Sequence, residues 1–452
     1  MVQETINGSS KPSLKVLPPS YYDKFLSHEA KLRGFSPIRG LLPLESTPGL
    51  ISLLAGKPNP DTFPFTSFRI ESRSADASKP STLTLEGSEL HEALQYGATA
   101  GLKPLVEWMT GLQEFSHGRD RTQGDWRVTM GSGSQDVVYK GAMCILNPGD
   151  AVLVESPVYA GVLPVFNDRQ CEKIEVDTDE HGIRSSSLRE ILEAWPVEKP
   201  KPKALYTVPY GCNPTGMTAT LERRLEVLEL AKEHDFIILE DDPYFYLYYG
   251  QAPRYPSYFA LEAQTGEVGR VLRFDSFSKV LSAGMRIGCA SGPKTLIDAI
   301  DRHTETSNLQ VATLTQMIAF KLLDQWGFEG FITHTQRVSA FYRERRDMFE
   351  DAMRQHLTGL VEWTTPEAGM FVWFKLIVDP SSPSGGDSEE AIRNIAFKKG
   401  VLALPGTIFL PSGRKTAYVR ASFSMVSQEQ MHLALSRLKE AILEARLAVT
   451  KQ

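Results

Sequence analysis

The middle of the chain alternates short apolar runs with longer stretches of helical spacing. The runs are 151–155 (AVLVE), 203–209 (KALYTVP), 236–240 (FIILE), 270–275 (RVLRFD) and 286–291 (RIGCAS). They are short, rich in β-branched and aliphatic residues, and nearly continuous rather than alternating. That pattern predicts strands buried on both faces. Between them, 221–235 carries an apolar stripe of Leu225, Leu228, Leu230 and Ala231, which predicts an amphipathic helix. Buried strands spaced by helices imply an α/β fold with a mostly parallel central sheet, spanning roughly 90 to 300.

The last third reads differently. A long helix is predicted over 333–356, then a strand over 369–376 (GMFVWFKL), a helix over 389–399, and strands over 401–404 and 418–422. Ser427-x-x-Gln430 is a capping box that opens a final helix running to about residue 449. This mixture predicts a smaller α+β domain. Residues 1–60 are rich in Ser, Pro and Gly, with one short helical candidate at 21–33, and read as an arm. The division is therefore an arm over 1–60 that packs on the smaller domain, a large domain over 61–330 and a small one over 331–452. A cleft between the two domains is the expected place for chemistry.

Composition narrows the class. The formal charge of −6 over 452 residues gives no electrostatic case for nucleic acid or an anionic membrane. No stretch approaches the roughly 18–20 apolar residues of a membrane span. The four cysteines, Cys144, Cys171, Cys212 and Cys289, show neither C-x-x-C nor zinc spacing. No metal site is expected, and the cytoplasm is the expected compartment.

Four motifs carry chemistry. In 275–288 (DSFSKVLSAGMRIG), Lys279 follows a predicted strand among small hydroxyl residues, with Arg286 beside a glycine. A Lys amine forms an imine with an aldehyde once its charge is suppressed. Ser276, Ser278 and Arg286 suit a dianionic phosphate. A surface Lys and Arg flanking a Ser-rich turn would fit the spacing equally well. Asn213-Pro214-Thr215-Gly216 follows another strand, and alone it is a common turn. Glu240-Asp241-Asp242-Pro243-Tyr244 ends a buried strand, where α/β sheets bind ligands; solvated loop carboxylates are the plainer reading. Gly131 to Gln135 (GSGSQ) opens a helix and suits a phosphate at its N-terminus, or is simply a glycine-rich helix start. All four fall at strand-to-loop junctions of one predicted sheet, which independent accidents rarely produce.

Together these residues resemble the fold-type I, aspartate-aminotransferase-like enzymes that use pyridoxal 5′-phosphate (PLP). Within them the chain is most similar to the branch holding fungal aromatic aminotransferases and kynurenine/2-aminoadipate aminotransferases. The phrases DSFSK, EDDPY and YVRASFS (residues 418–424) carry the likeness, which extends from Ser36 to the final helix. The resemblance implies that Lys279 is the Schiff-base lysine and proton carrier, and that Asp241 pairs with the pyridinium nitrogen. It implies contacts of Asn213 and Tyr244 with the ring's 3-oxygen, and stacking of Tyr159 on the ring. It assigns the phosphate to Ser134, Gln135, Ser276, Ser278 and Arg286, and the substrate carboxylate to Arg420. Arg39, Gly56, Tyr96 and Phe371 are implied to border the side-chain pocket, Tyr96 coming from a partner subunit of a homodimer. Tyr96 and Phe371 suit an aromatic side chain by stacking, and Arg39 suits a second carboxylate.

The leading expectation is thus transfer of the amino group of an aromatic L-amino acid (Trp, Phe or Tyr) to a 2-oxo acid, 2-oxoglutarate or phenylpyruvate. Alternatives within the resemblance are 2-aminoadipate or kynurenine transamination, or a lyase or synthase on the same fold. An alternative of another class is the ligand-sensing module of a regulator; its usual DNA-binding helical domain has no counterpart in the first 60 residues.

Overall fold

The buried apolar runs assemble into one sheet. The computed structural model describes residues 14–450 apart from Phe35, Leu42, Pro43, Ser46 and Ala55. A short strand, β1 (Lys15–Val16), precedes a hairpin of β2 (Ser67–Arg73) and β3 (Pro80–Glu86). The central strands begin with β4 (Trp126–Gly131), β5 (Ala151–Ser156), β6 (Glu172–Asp179) and β7 (Gly182–Ile183). They continue with β8 (Ala204–Thr207) and β9 (Ile237–Asp241) and, beyond the two-residue β10 (Glu267–Val268), end with β11 (Val271–Ser276) and β12 (Gly288–Pro293). Among the described residues the order is β4-β12-β11-β9-β8-β5-β6-β7.

Strands β11, β9, β8, β5 and β6 run parallel. Every residue of β5, β8, β9 and β11 is buried, the signature of a sheet covered on both faces. Parallel strands bring their carboxyl ends to one edge, so Ser156, Thr207, Asp241 and Ser276 share a rim. Strand β12 is antiparallel to both β11 and β4, so it starts at that rim with Gly288, opposite the end of β4 at Gly131, and runs away from it.

Helix Ser134–Ile145 springs from the rim and packs against β9, β11 and β12. Helix Leu221–His234 is capped by Thr220, whose side chain accepts from the Arg223 amide, and closes on Asp235 with a left-handed φ of 63°.

The second unit is an antiparallel sheet, β13 (Val361–Trp363), β14 (Phe371–Leu376), β15 (Leu404–Pro405) and β16 (Tyr418–Ser422), in the order β13-β14-β16-β15. Its core joins Val372, Phe374 and Val419 to Met431, Leu435, Leu438 and Ile442 of helix Gln428–Thr450. The capping box forms reciprocally: the Gln430 amide donates to Ser427 Oγ (3.2 Å) and the Ser427 amide to Gln430 Oε1 (2.8 Å).

Three expectations need correction. The helix predicted over 333–356 is the second part of a longer element, Thr313–Leu357, broken at Gly327, where φ is 62° and ψ is −176°. Glycine alone adopts that backbone without strain, so one apolar period runs through a break. The helical candidate at 21–33 is two pieces, the 3₁₀ turn Pro19–Lys24 and helix Ser27-capped His28–Leu32. Finally, the first described segment of the arm does not pack on the smaller domain as expected. Residues 1–13 lie outside the described residues, but the rest of its first segment packs on the larger unit. Strand β1 pairs with β10, the Tyr22 hydroxyl donates to the Gly269 carbonyl, and the Ser27 hydroxyl donates to the Met143 carbonyl. No helix among the described residues is long and apolar enough to cross a membrane.

Candidate active site

At the rim of the parallel strands lies a cavity of about 200 Å³, and loops from five strands line it. Its walls are Ser134, Gln135, Tyr159, Val208, Asn213, Asp241, Pro243, Tyr244, Ser276, Ser278, Lys279, Ala283, Arg286 and Phe371. Every residue assigned to a cofactor from the sequence is among them. Arg420 stands beside it: its Nη1 donates to Asn213 Oδ1 at 2.8 Å, and its guanidinium lies 4.2 Å from the Phe371 ring centroid. The antiparallel register of β14 and β16 sets Phe371 opposite Ser422 and Trp373 opposite Arg420, so the smaller unit delivers both side chains to one wall.

One end of the cavity is built for an anion. Helix Ser134–Ile145 sets Ser134 and Gln135 of its first turn, and the positive end of its dipole, at the cavity wall. Arg286 holds the opposite side, its Nη2 donating to the Ser132 carbonyl (3.0 Å) and its Nη1 to Ser278 Oγ (3.3 Å). Close approach is what requires the glycines here. A Cβ on Gly133 would fall 2.4 Å from Arg286 Nη2, and one on Gly288 would fall 2.6 Å from the Ser134 amide nitrogen. Gln135 reaches the other way, donating to the Gly161 carbonyl at 2.9 Å and tying down the loop that carries Tyr159. A Cβ on Gly161 would collide with the Tyr159 ring at 2.3 Å, so glycine lets that ring lie over the cavity.

The floor carries an acid. Asp241 is buried, and burial pushes its carboxyl up to about 7, against the opposing hydrogen bond from Tyr206. The Tyr206 hydroxyl donates to Oδ2 at 2.6 Å, while the buried Oδ1 has no partner among the described residues. A buried unpaired carboxylate oxygen facing a cavity is costly and asks for a donor from a ligand. Lys279 lines the same cavity. Burial lowers the affinity of its amine for a proton, Arg286 and Arg420 add to the effect, and Asp241 opposes it.

Beneath the floor, on the opposite face of the sheet, Arg273 is fully buried and pairs with Asp242 (2.9 Å), Asp275 (2.8 Å) and Glu240 (3.3 Å). Gln113 donates to Asp275 as well (3.0 Å). Sequence reading missed this cluster, although the charged residues inside otherwise apolar strands signal it.

Three residues expected at the side-chain pocket do not line this chain's cavity. Arg39 donates to Thr99 Oγ1 (2.8 Å), to the Gly97 carbonyl and to Gln310 Oε1 (both 3.3 Å). Tyr96 and Gly56 are exposed, Tyr96 at 57%. Arg39 and Gln310 thus meet at Gly97, the residue after Tyr96, and neither lines the cavity of their own chain.

Known proteins place these observations. Residues 77–438 match the family model described as aminotransferase class I and II. The chain is 44% identical to aminotransferase tdiD of Emericella nidulans, over 89% of this chain and 91% of that one. It is 40% identical to the mitochondrial kynurenine/alpha-aminoadipate aminotransferase of Bos taurus, over 94% and 99%. The crystal structure of the aromatic aminotransferase Aro9 from Candida albicans is similar, with a TM-score of 0.81 and 26% identity, over 93% and 97%.

Proposed function

Because this chain belongs to the class I and II aminotransferase family, we propose that it moves the amino group of an aromatic L-amino acid (Trp, Phe or Tyr) to a 2-oxo acid. It is a fold-type I transaminase, and its cofactor is PLP. The residues present fit that group. The helix N-terminus with Arg286 and the serines offers a phosphate seat, and the unpartnered Asp241 Oδ1 offers an acceptor for a ring N–H. When bound, PLP supplies an aldehyde that captures an amine and a ring that draws electrons from the substrate's α-carbon.

In our reading Lys279 Nζ is the nucleophile that holds the cofactor and then the base that takes the α-proton of the amino acid. The burial that weakens its hold on a proton favours both tasks. Asp241 keeps the ring nitrogen protonated, which strengthens the electron withdrawal. Asn213 and Tyr244 would serve the ring's 3-oxygen, Tyr159 the ring face, and Ser134, Gln135, Ser276, Ser278 and Arg286 would hold the phosphate. Arg420 clamps the substrate carboxylate; its buried Nε has no protein partner among the described residues, so the fork keeps a free donor.

The observation that carries the choice of substrate is the wall beside Arg420. Phe371 lies under the guanidinium, and Tyr244 meets it edge-on with ring centroids 6.4 Å apart. An aromatic side chain gains stacking there that an aliphatic one does not. The second reading, transfer from 2-aminoadipate or kynurenine, draws support from the name of the bovine relative and from Arg39, which a second carboxylate would need. Initial rates with Trp, Phe, Tyr, kynurenine and 2-aminoadipate, against 2-oxoglutarate and phenylpyruvate, separate the two. We expect kcat/KM for Phe or Trp to exceed that for 2-aminoadipate by at least about tenfold, as one aromatic contact pair of about 1.4 kcal/mol would give. The reverse order would replace the first reading by the second.

We further propose a homodimer with shared active sites, supported by apolar side chains that the arm leaves uncovered: Ile51 is 90% exposed and Leu53 97%. The cytoplasm is our reading of the compartment, supported by four buried cysteines, none of them paired.

A further inference from the structure

Asp241 has a neighbour that neither the motifs nor the family comparison draws attention to. Tyr206 is a fully buried phenol in the middle of the sheet, one strand away. In the parallel register of β8 with β9, Tyr206 stands opposite Leu239 and Thr207 opposite Glu240. Side chains alternate along a strand, so Tyr206, Leu239 and Asp241 project to one face. Thr207 and Glu240 project to the other, where Thr207 serves Glu155 (2.6 Å) and Glu240 serves Arg273. The alternation thus divides the buried polar groups into two sets. Arg273, the cation buried nearest beneath, is engaged by three carboxylates on the far face. On the cavity face the hydrogen bond to Asp241 comes from Tyr206 alone among the described residues, at 2.6 Å. Phe166 meets the Tyr206 ring edge-on, with centroids 6.0 Å apart, and restrains its rotation.

The Tyr206 O–H donates to Oδ2, a bond that favours the ionised carboxylate against the burial that pushes the carboxyl up. That bond also chooses which oxygen remains for a ligand. Oδ2 is occupied, and Oδ1 is buried with no partner among the described residues.

We propose that Tyr206 is a positioning residue for the reaction, its hydroxyl fixing the rotamer of Asp241 and holding it ionised so that Oδ1 receives the N–H of the PLP ring. This rests on the PLP reading of the cavity. Tyr206 acts through Asp241 and touches neither substrate nor the reacting carbon. Its loss removes a stabilising bond from the carboxylate, which then competes for the ring proton instead of leaving it on nitrogen.

The test uses the full chain stripped of cofactor, as wild type and as Tyr206→Phe, Asp241→Asn and the double variant. Each is titrated with PLP, followed by quenching of tryptophan fluorescence. The wild type and Tyr206→Phe are also loaded with ring-¹⁵N PLP and examined by NMR. We expect Tyr206→Phe to bind PLP about tenfold more weakly, the worth of one hydrogen bond to a charged group. Its ¹⁵N signal should move toward the unprotonated position, and kcat should fall with the KM for the amino donor unchanged. In the Asp241→Asn background, Tyr206→Phe should add nothing. An affinity within about twofold of wild type and an unmoved ¹⁵N signal would overturn the proposal, as would full additivity in the double variant. A Tyr206→Phe protein that only melts at lower temperature, with the ¹⁵N signal in place, would also overturn it by reducing Tyr206 to packing. A wild type that takes up no PLP would instead refute the reading of the cavity itself.

Discussion

Burial disfavours the charges of Lys279 and Arg420 alike, but the two side chains respond differently. A lysine can surrender its proton and become a nucleophile; a guanidinium stays charged at any working pH and keeps its fork of donors. Under the proposed roles, the removable charge would stand at the reacting end and the permanent one at the carboxylate end. For Arg420→Gln we expect kcat/KM for the amino donor to fall on the order of 10²-fold, mostly through KM, as loss of about 3 kcal/mol of charge-assisted hydrogen bonding implies. Steady-state kinetics over a range of donor concentrations checks it. At this scale much of the cavity lining was legible in the sequence, because Lys279, Asp241, Asn213 and Ser134 occupy short motifs at strand ends. Tyr206 was not, since a tyrosine in an apolar run reads as core until strand pairing sets it beside Asp241. Val208, Pro243 and Ala283 also line the cavity, yet carry no chemistry that a sequence motif would mark.

The strand ends set the electrostatics of the central sheet. Two carboxyls, Glu155 at the end of β5 and Asp241 at the end of β9, are each pushed up to about 7, in both cases chiefly by burial. A carboxyl whose folded value is raised contributes stability that is fully present below its ordinary value near 4 and is lost as pH rises through about 7. Buried histidines such as His117, held below its usual value by burial, act in the opposite direction as pH falls. The carboxyl contribution is thus best read by difference. Between pH 6 and pH 8, the cofactor-free wild type should lose more thermal stability than Glu155→Gln does, and melting curves of the two at both pH values check this. Elements with strong periodicity were legible in advance, as with β5, β9 and helix Leu221–His234. Strand β12 was foreseen, but its antiparallel direction depends on pairing with both β4 and β11. The hairpin β2–β3 escaped notice because its strands, SFRIESR and PSTLTLE, are mostly polar and half exposed.

Over the whole molecule, two cores are joined by the broken helix Thr313–Leu357, which carries Phe331 in one and Phe349, Met353 and Leu357 in the other. The cavity takes its floor from the first unit and Phe371 and Arg420 from the second. Packing of the arm was not readable from composition, because a Ser- and Pro-rich segment carries no period that names the surface it covers. Its uncovered apolar residues and the position of Arg39 and Tyr96 outside their own cavity agree with the proposed homodimer. Light scattering should therefore give about twice the 50.3 kDa chain mass, with no monomer at micromolar concentration. The central claim is that Lys279 binds the aldehyde of PLP covalently. It is tested most directly by the absorption spectrum of the purified protein beside that of Lys279→Ala, each incubated with PLP and reduced with borohydride before mass determination. The account predicts a coloured wild type that gains the mass of one reduced cofactor on the peptide containing Lys279, and an Ala variant that gains none. A colourless wild type, or the same label on the variant, would contradict it.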